Sequence, residues 1–330
     1  MFALHGKKVL VTGSEGFIGS HLVERLVELG ARVKAVVLYN FANSWGWLES
    51  LPPAVLREVE VCPGDVRDQG MVKEALKGRE IVFHLAALIG IPYSYKAPAS
   101  YVETNVTGTL NMLEAARECG ITRFVHTSTS EVYGTAVHVP IDERHPLQAQ
   151  SPYAATKIAA DKLAESYYRT FGLPVATVRP FNTYGPRQSA RAVIPTVIAQ
   201  ALTSKEVKLG SLHPTRDLTF VKDTVEGFVK SAQADRAVGE VINIGSGFEI
   251  SIGELARLIL GLIPGCRAEL AEDVERRRPP RSEVERLWAD NRKAREILGW
   301  QPAYTLEKGL AETIAWFSQE TGRYKQIYNV

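Results

Sequence analysis

Tyr153 and Lys157 stand four residues apart in Tyr153-Ala154-Ala155-Thr156-Lys157, soon after the run Ser128-Thr129-Ser130-Glu131-Val132-Tyr133-Gly134. A free phenol titrates near pH ~10 and is a poor base at neutral pH. A Lys one helical turn away lies on the same face, and its positive charge favours the phenolate. Such a Tyr can take a proton from a hydroxyl while a cofactor takes the hydride. Hydroxyls and a carboxylate gather at one end of this stretch, and the phenol and ammonium at the other.

The elements before it are those a dinucleotide needs. Lys8–Thr12 is a short apolar run, followed by glycines at 13, 16 and 19 and an amphipathic segment from His21 to Val27 that stops at Gly30. Strand, glycine turn and helix in this order let the backbone approach a pyrophosphate, and the helix N-terminus then faces the negative charge. A second strand, Arg32 to Tyr39, should end at the adenosine ribose, where a carboxylate usually marks NAD and an Arg NADP. Tyr39-Asn40-Phe41-Ala42-Asn43-Ser44 offers only neutral donors, of which Asn40 and Ser44 suit a ribose hydroxyl. No Arg or Lys follows the strand, which favours NAD and leaves NADP open.

A third strand at 58–61 exits through Gly64-Asp65-Val66-Arg67-Asp68, where Asp65 is either an adenine contact or an ordinary turn residue. Ile81-Val82-Phe83-His84-Leu85-Ala86-Ala87 is a buried fourth strand ending in small residues that suit a cofactor. Ile91-Pro92-Tyr93-Ser94-Tyr95 is expected to be an irregular aromatic loop, a substrate wall or mere packing. A long helix over 101–119 and a fifth strand over 123–128 deliver Ser128 to the sheet's carboxyl edge, where open α/β sheets bind ligands. A helix from Tyr153 to about Thr170 and a sixth strand over 174–179 continue the alternation. It predicts a doubly wound parallel sheet.

From Phe181 the pattern loosens. Residues 1–180 and 215–245 are assigned to the nucleotide-binding region, and 181–214 with 246–330 to a smaller, discontinuous C-terminal lobe packed upon it. Glu272 to Arg286 is charge-rich and broken by Pro, and is expected to be a surface loop.

Composition narrows the class. The 330 residues carry 39 Lys and Arg against 37 Asp and Glu, too balanced for a nucleic-acid surface. Three separated cysteines have no metal spacing and suit a reducing cytoplasm. No signal peptide and no run of ~20 apolar residues is seen, so a cytoplasmic protein that does not enter a membrane is expected.

Taken in order, Thr12-Gly13-x-x-Gly16-Phe17-Ile18-Gly19, His84-Leu85-Ala86-Ala87, the Ser128–Gly134 run, Tyr153-x-x-x-Lys157, Arg179-Pro180-Phe181-Asn182-Thr183-Tyr184-Gly185-Pro186 and Arg216-Asp217 span nearly the whole chain. Together they resemble the extended short-chain dehydrogenase/reductase family, the NAD-dependent sugar-nucleotide epimerases and dehydratases with a Rossmann sheet. Asn40 to Trp47, the Ile91–Tyr95 segment and Gln188 to Pro195 look like the 4,6-dehydratases of nucleotide-activated N-acetylglucosamine, the legionaminic-acid-pathway type. The resemblance implies a catalytic set of Thr129, Tyr153 and Lys157, with Ser130 and Glu131 beside it. It implies NAD held by Gly13, Gly16, Phe17, Ile18, Gly19, Asn40, Ser44, Asp65, Val66, Leu85, Ala86 and Ala87, as well as by Tyr153 and Lys157. Tyr93, Asn182 and Arg216 would contact a nucleotide-sugar substrate, Asn182 and Arg216 at its diphosphate. Arg187 and Arg191 are either solvated charges or part of that site, and Arg278 is either a solvated loop residue or a phosphate contact.

Within the resembled family, Glu131 favours a dehydratase, which must remove a carbon-5 proton. A 4-epimerase needs no such base, and a UDP-glucuronate decarboxylase shares the stretch. A homodimer through a four-helix contact of 101–119 and 153–170 is implied as well. Two departures stand out. Tyr39 replaces the family's acidic residue, and Ser130 stands where dTDP-glucose dehydratases carry Asp.

Overall fold

The computed structural model describes residues 2–276 and 279–320. Its strands are β1 (Lys8–Thr12), β2 (Arg32–Leu38), β3 (Val59–Gly64), β4 (Ile81–His84), β5 (Arg123–Thr127), β6 (Val175–Pro180), β7 (Asn182–Tyr184), β8 (Glu206–Leu209), β9 (Thr215–Phe220), β10 (Val241–Ile244), β11 (Glu249–Ser251) and β12 (Glu269–Glu272). Seven of them form one parallel sheet in the order β10-β6-β5-β4-β1-β2-β3. This is the doubly wound Rossmann arrangement expected from the alternation of strands and helices. The order reverses beside β1, and the crevice at that switch point is where such sheets bind dinucleotides.

The helices are α1 (Phe17–Glu28), α2 (Pro53–Arg57), α3 (Gln69–Leu76), α4 (Ile91–Lys96), α5 (Pro98–Tyr101), α6 (Gly108–Cys119), α7 (Pro152–Phe171), α8 (Val193–Thr203), α9 (Val221–Gln233), α10 (Ile252–Leu262), α11 (Arg292–Leu298) and α12 (Leu306–Gln319). Val9, Val11, Ile81, Phe83, Val125 and Val178 on the central strands are fully buried with Leu22 and Leu26 of α1. Each such side chain contributes about 1.5–3 kcal/mol by leaving water. The strands read as unbroken apolar runs because both faces of the sheet are covered.

Two segments differ from expectation. Ile91–Tyr95 is a short helix, α4, and not an irregular loop. Pro92 and Pro98 sit in the first turns of α4 and α5, where the missing N–H costs nothing and the fixed φ favours a helix. The helix expected over 101–119 is continuous but enters α6 through a π-helical stretch, Val102–Thr107, a form that recurs at functional sites.

Beside the large sheet stands a three-stranded one, β11-β9-β7, with β8 and β12 paired separately. Within 215–245, which the sequence reading gives to the nucleotide-binding region, β9 pairs in this small sheet, while α9 packs on α1 and β10 joins the large sheet. The charge-rich segment before Arg286 is more than a surface loop. Val284 is buried with Leu287 against Val132, Tyr133 and Phe181, because apolar residues punctuate its charges.

Candidate active site

β5 ends at Thr127 and hands the chain to a single turn, Ser130–Tyr133, at the sheet's carboxyl edge. Thr129 starts that turn by accepting the Glu131 N–H on its Oγ1 at 3.2 Å. α7 starts opposite, with Ser151 capping it by accepting the Ala154 N–H at 3.1 Å and Pro152 in its first turn. Removing such a cap costs about 1 kcal/mol. Its first turns bury Tyr153 and Lys157 to 7% and 4% exposure.

The electrostatics of the pair follow from that burial. Desolvation pushes the Tyr153 phenol above its ordinary value, a hydrogen bond with Thr129 works against it, and the Glu131 charge adds to the rise. Thr129, Glu131 and Tyr153 thus share one small site. Desolvation lowers the Lys157 ammonium to about 8, with Asp161 opposing. Lys157 Nζ donates to the Thr127 carbonyl at 2.7 Å, which fixes the ammonium against the end of β5. Tyr93, Tyr101 and Tyr153 form an aromatic row with centroid separations of 6.2 and 6.3 Å. Tyr93 is its exposed end, consistent with a substrate wall.

Asp161 continues the same helix face and collects a buried network. It accepts from Ser128 Oγ at 2.8 Å and Arg179 Nη2 at 2.8 Å, and meets His126 Nε2 at 3.1 Å. Burial alone would raise its carboxyl, but His126, Arg179 and Ser128 more than offset this and bring it to about 2. A carboxyl held below its unfolded value stabilises the fold above pH ~4 and loses that contribution as pH falls toward 2. Asp161→Asn is expected to cost about 3–5 kcal/mol by leaving Arg179 buried and unpaired. In urea unfolding the gap from wild type should hold above pH ~4 and narrow below it; a gap independent of pH would refute the assignment.

The cofactor side is formed by contacts that only glycine permits. Gly13 has φ +69°, and a Cβ there would lie 2.8 Å from the Ala86 nitrogen; at Gly19 it would lie 2.0 Å from the Gly13 oxygen. Thr12 Oγ1 accepts the Leu85 and Ala86 N–H groups at 3.2 and 3.1 Å, bringing the Leu85–Ala87 backbone beside the glycine loop. Phe17 and Ile18 open α1, which has no side-chain cap and no acidic residue in its first turn. Its N-terminal N–H groups suit a pyrophosphate, so these residues fit a dinucleotide.

The other residues expected at the nucleotide are less uniform. Asp65 is held by Arg67 through Nε and Nη2 at 3.0 and 2.6 Å, and lines an open cavity of about 530 Å³ with Arg67, Asp68, Glu103 and Thr107. The Val66 side chain is buried in the core beneath Gly108. Asn40 is occupied within its own loop: Nδ2 donates to the Leu38 and Ser44 carbonyls, and Oδ1 accepts the Ser44 N–H. Ser44 Oγ accepts the Gly46 N–H.

Asn182 in β7 leaves a buried Oδ1 without a hydrogen-bond partner among the described residues. Arg216 is buried and bonded to the Thr215 carbonyl at 2.9 Å and Glu283 at 3.2 Å, so it is not a solvated charge. Arg191 is exposed, and its charge reaches the Tyr101 phenol. Arg187 carries an ion pair of its own. Its left-handed backbone, φ 68°, turns the side chain onto α1, where Nη2 pairs with Glu24 at 2.9 Å. It therefore ties the segment after β7 to α1. Arg278 lies outside the described residues.

Residues to which the sequence reading gave no role adjoin these side chains. Asn105, within the π-helical stretch, accepts the Leu88 N–H at 2.8 Å and donates to the Leu88 carbonyl and Thr156 at 2.9 and 3.0 Å. It ties the loop after β4 to the Tyr153 helix. A buried polar residue inside an amphipathic helix is the signal that could have found it. Asp161 could have been found by its spacing, one turn beyond Lys157.

Fold and glycine loop define a dinucleotide-dependent enzyme with a buried Tyr and Lys at the sheet's carboxyl edge. The family model described as GDP-mannose 4,6 dehydratase matches residues 10–313. The chain belongs to this family of NAD-dependent sugar-nucleotide dehydratases and epimerases. It is 36% identical to a UDP-glucose 4-epimerase of Mycolicibacterium smegmatis, over 95% of this chain and 99% of that one. It is 35% identical to a dTDP-glucose 4,6-dehydratase of Streptomyces niveus, over 94% and 92%. A dTDP-glucose 4,6-dehydratase structure from Streptomyces venezuelae, with NAD bound, superposes with a TM-score of 0.84 at 30% identity, covering 96% of this chain and 98% of that one. No described helix is long and apolar enough to cross a membrane.

Proposed function

We propose that the protein is a nucleotide-sugar 4,6-dehydratase that uses NAD and converts UDP- or GDP-N-acetylglucosamine to a 4-keto-6-deoxy sugar nucleotide. Glu131 is the observation that supports this most: a carboxylate at the end of β5, beside Thr129 and close enough to Tyr153 for its charge to act on the phenol. Oxidising an alcohol needs one proton acceptor. Eliminating water needs a second, for the carbon-5 proton.

When bound, NAD would accept a hydride from carbon 4 and return one to carbon 6. Tyr153 removes the proton of the 4-hydroxyl, the Lys157 charge favours the phenolate, and Thr129 hydrogen-bonds the same oxygen. Glu131 takes the carbon-5 proton, made acidic by the ketone, the 6-hydroxyl leaves as water, and a proton equivalent to the one Tyr153 took returns to carbon 5 as carbon 6 is reduced. Ser130 is too weak an acid to protonate that hydroxyl alone, so Glu131 passes its own proton to the leaving group. Asn182 and Arg216 hold the diphosphate, with Tyr93 and Arg191 at the rim.

A 4-epimerase is the second reading, favoured by the similarity to the mycobacterial enzyme. Mass spectrometry with NAD and a panel of UDP-, GDP-, dTDP- and CDP-sugars separates the two. Loss of one water supports dehydration; an isomer of unchanged mass sinks it, and loss of carbon dioxide points to a decarboxylase.

A homodimer is part of the proposal. Val102 and Leu110 on the 102–119 helix, with Tyr168 and Phe171 on α7, are 49%, 36%, 37% and 52% exposed. A second copy covering them would complete a four-helix contact. Light scattering is expected to give twice the chain mass for wild type and the chain mass for a Leu110→Glu, Phe171→Glu double variant. An unchanged dimer in that variant refutes this surface.

A further inference from the structure

Glu15 lies inside the glycine loop, yet its carboxylate is directed at the end of β2. Oε1 accepts the Leu38 N–H at 3.1 Å, and Oε2 is buried with no hydrogen-bond partner among the described residues. A carboxylate offers about four acceptor positions, so this one is short of donors. Burial pushes its carboxyl above the ordinary value, opposed by the N–H groups of Glu15 and Leu38.

The surroundings are built on this residue. The Trp47 N–H donates to the Glu15 carbonyl at 3.0 Å. Gly46, at φ +57°, packs so closely that a Cβ would lie 2.7 Å from that carbonyl oxygen and 3.0 Å from the Glu15 Cβ. The loop after β2 is therefore clamped onto the glycine loop at Glu15. Its Asn40 and Ser44 are engaged with each other and with Leu38 and Gly46, as described above, and Leu38-Tyr39-Asn40 brings no acid to the strand end.

We propose that Glu15 reads the adenosine ribose of the dinucleotide, delivering from the glycine loop the carboxylate that this fold ordinarily takes from the end of its second strand. The vicinal hydroxyls of a ribose donate two hydrogen bonds to a carboxylate with acceptor positions to fill. A 2′-phosphate would place negative charge against it instead. Arg67, at the exit of the neighbouring β3, is engaged by Asp65 and does not offset that repulsion.

The test reads cofactor binding, with no sugar present, so its failure leaves the dehydratase reading untouched. Cofactor-stripped protein is titrated with NAD, NADP and the 2′-deoxyadenosine form of NAD, followed by tryptophan fluorescence. Wild type is expected to favour NAD over each of the other two by about tenfold or more, the worth of one hydrogen bond to a charged group. Glu15→Ala should bind NAD about tenfold more weakly and no longer distinguish it from the 2′-deoxy form. Glu15→Gln keeps the shape of the side chain and removes the charge, and should narrow the gap between NAD and NADP. Wild-type NAD affinity in Glu15→Ala, or an unchanged NAD-to-NADP ratio in Glu15→Gln, overturns the proposal. Should the Ala variant fail to fold, the Gln variant carries the same test, since with a neutral acceptor it should also show a weaker preference against the 2′-deoxy form.

Discussion

Tyr153→Phe is expected to lower turnover by about 10²–10⁴-fold, the usual contribution of a positioned proton acceptor. The Phe ring keeps the edge contact with Tyr101, at 6.3 Å between centroids, so the fold and the aromatic row should survive. What is lost is the phenolic oxygen and its hydrogen bond with Thr129. Unchanged turnover in a folded Tyr153→Phe protein would remove Tyr153 from the chemistry.

Lys157→Met separates the charge from the phenol. Burial raises the phenol, so a positive charge on the same helix face would favour the reactive form. The ammonium itself is held at about 8, and it is charged below that pH and neutral above it. The sign for stability is opposite to that of a paired Lys. Between about 8 and the ordinary ~10.4 the folded state binds fewer protons than the unfolded one, so this group favours folding as pH rises through that window. Lys157→Met should therefore shift the rising limb of the pH–rate profile to higher pH and flatten the alkaline rise in stability. A pH–rate profile identical to wild type would dissociate the Lys from the Tyr.

The second large effect is expected at Glu131. Glu131→Gln keeps the Glu131 N–H bonded to Thr129 and removes only the carboxylate. Oxidation at carbon 4 does not use that group. A stoichiometric amount of reduced nicotinamide should therefore accumulate on the protein, while release of dehydrated sugar falls by about 10²-fold or more. Two measurements on one sample, absorbance of the reduced cofactor and mass of the released sugar, read the two steps. Normal dehydrated product from this variant would end the role given to Glu131. An isomerised sugar of unchanged mass from wild type, with Glu131→Gln equally active, would leave the epimerase reading standing.

Legibility from sequence followed the range of the interaction. Glycines 13, 16 and 19 announced a close backbone approach because only a residue without a Cβ can make it, and the 2.0 and 2.8 Å separations at Gly19 and Gly13 give the physical reason. Tyr153 and Lys157 were legible because four residues on a helix place two side chains on one face whatever surrounds them. The parallel sheet followed from strands buried on both faces, which carry no alternation.

Where a side chain at one end of the chain meets a partner far along it, spacing was silent. The pattern of Arg and Asn residues after Phe181 did not show that Arg187 turns back to Glu24 while Arg216 faces Glu283. It did not show that Asn40 would be used up inside its own loop, or that Glu15 would reach Leu38 at the end of the neighbouring strand. The sequence by itself determined that a phenol and an ammonium share one helix face in a chain whose glycine loop suits a dinucleotide. Only the tertiary structure decided which of the scattered charged and polar side chains face that site, because their directions are set by contacts between segments that packing alone brings together.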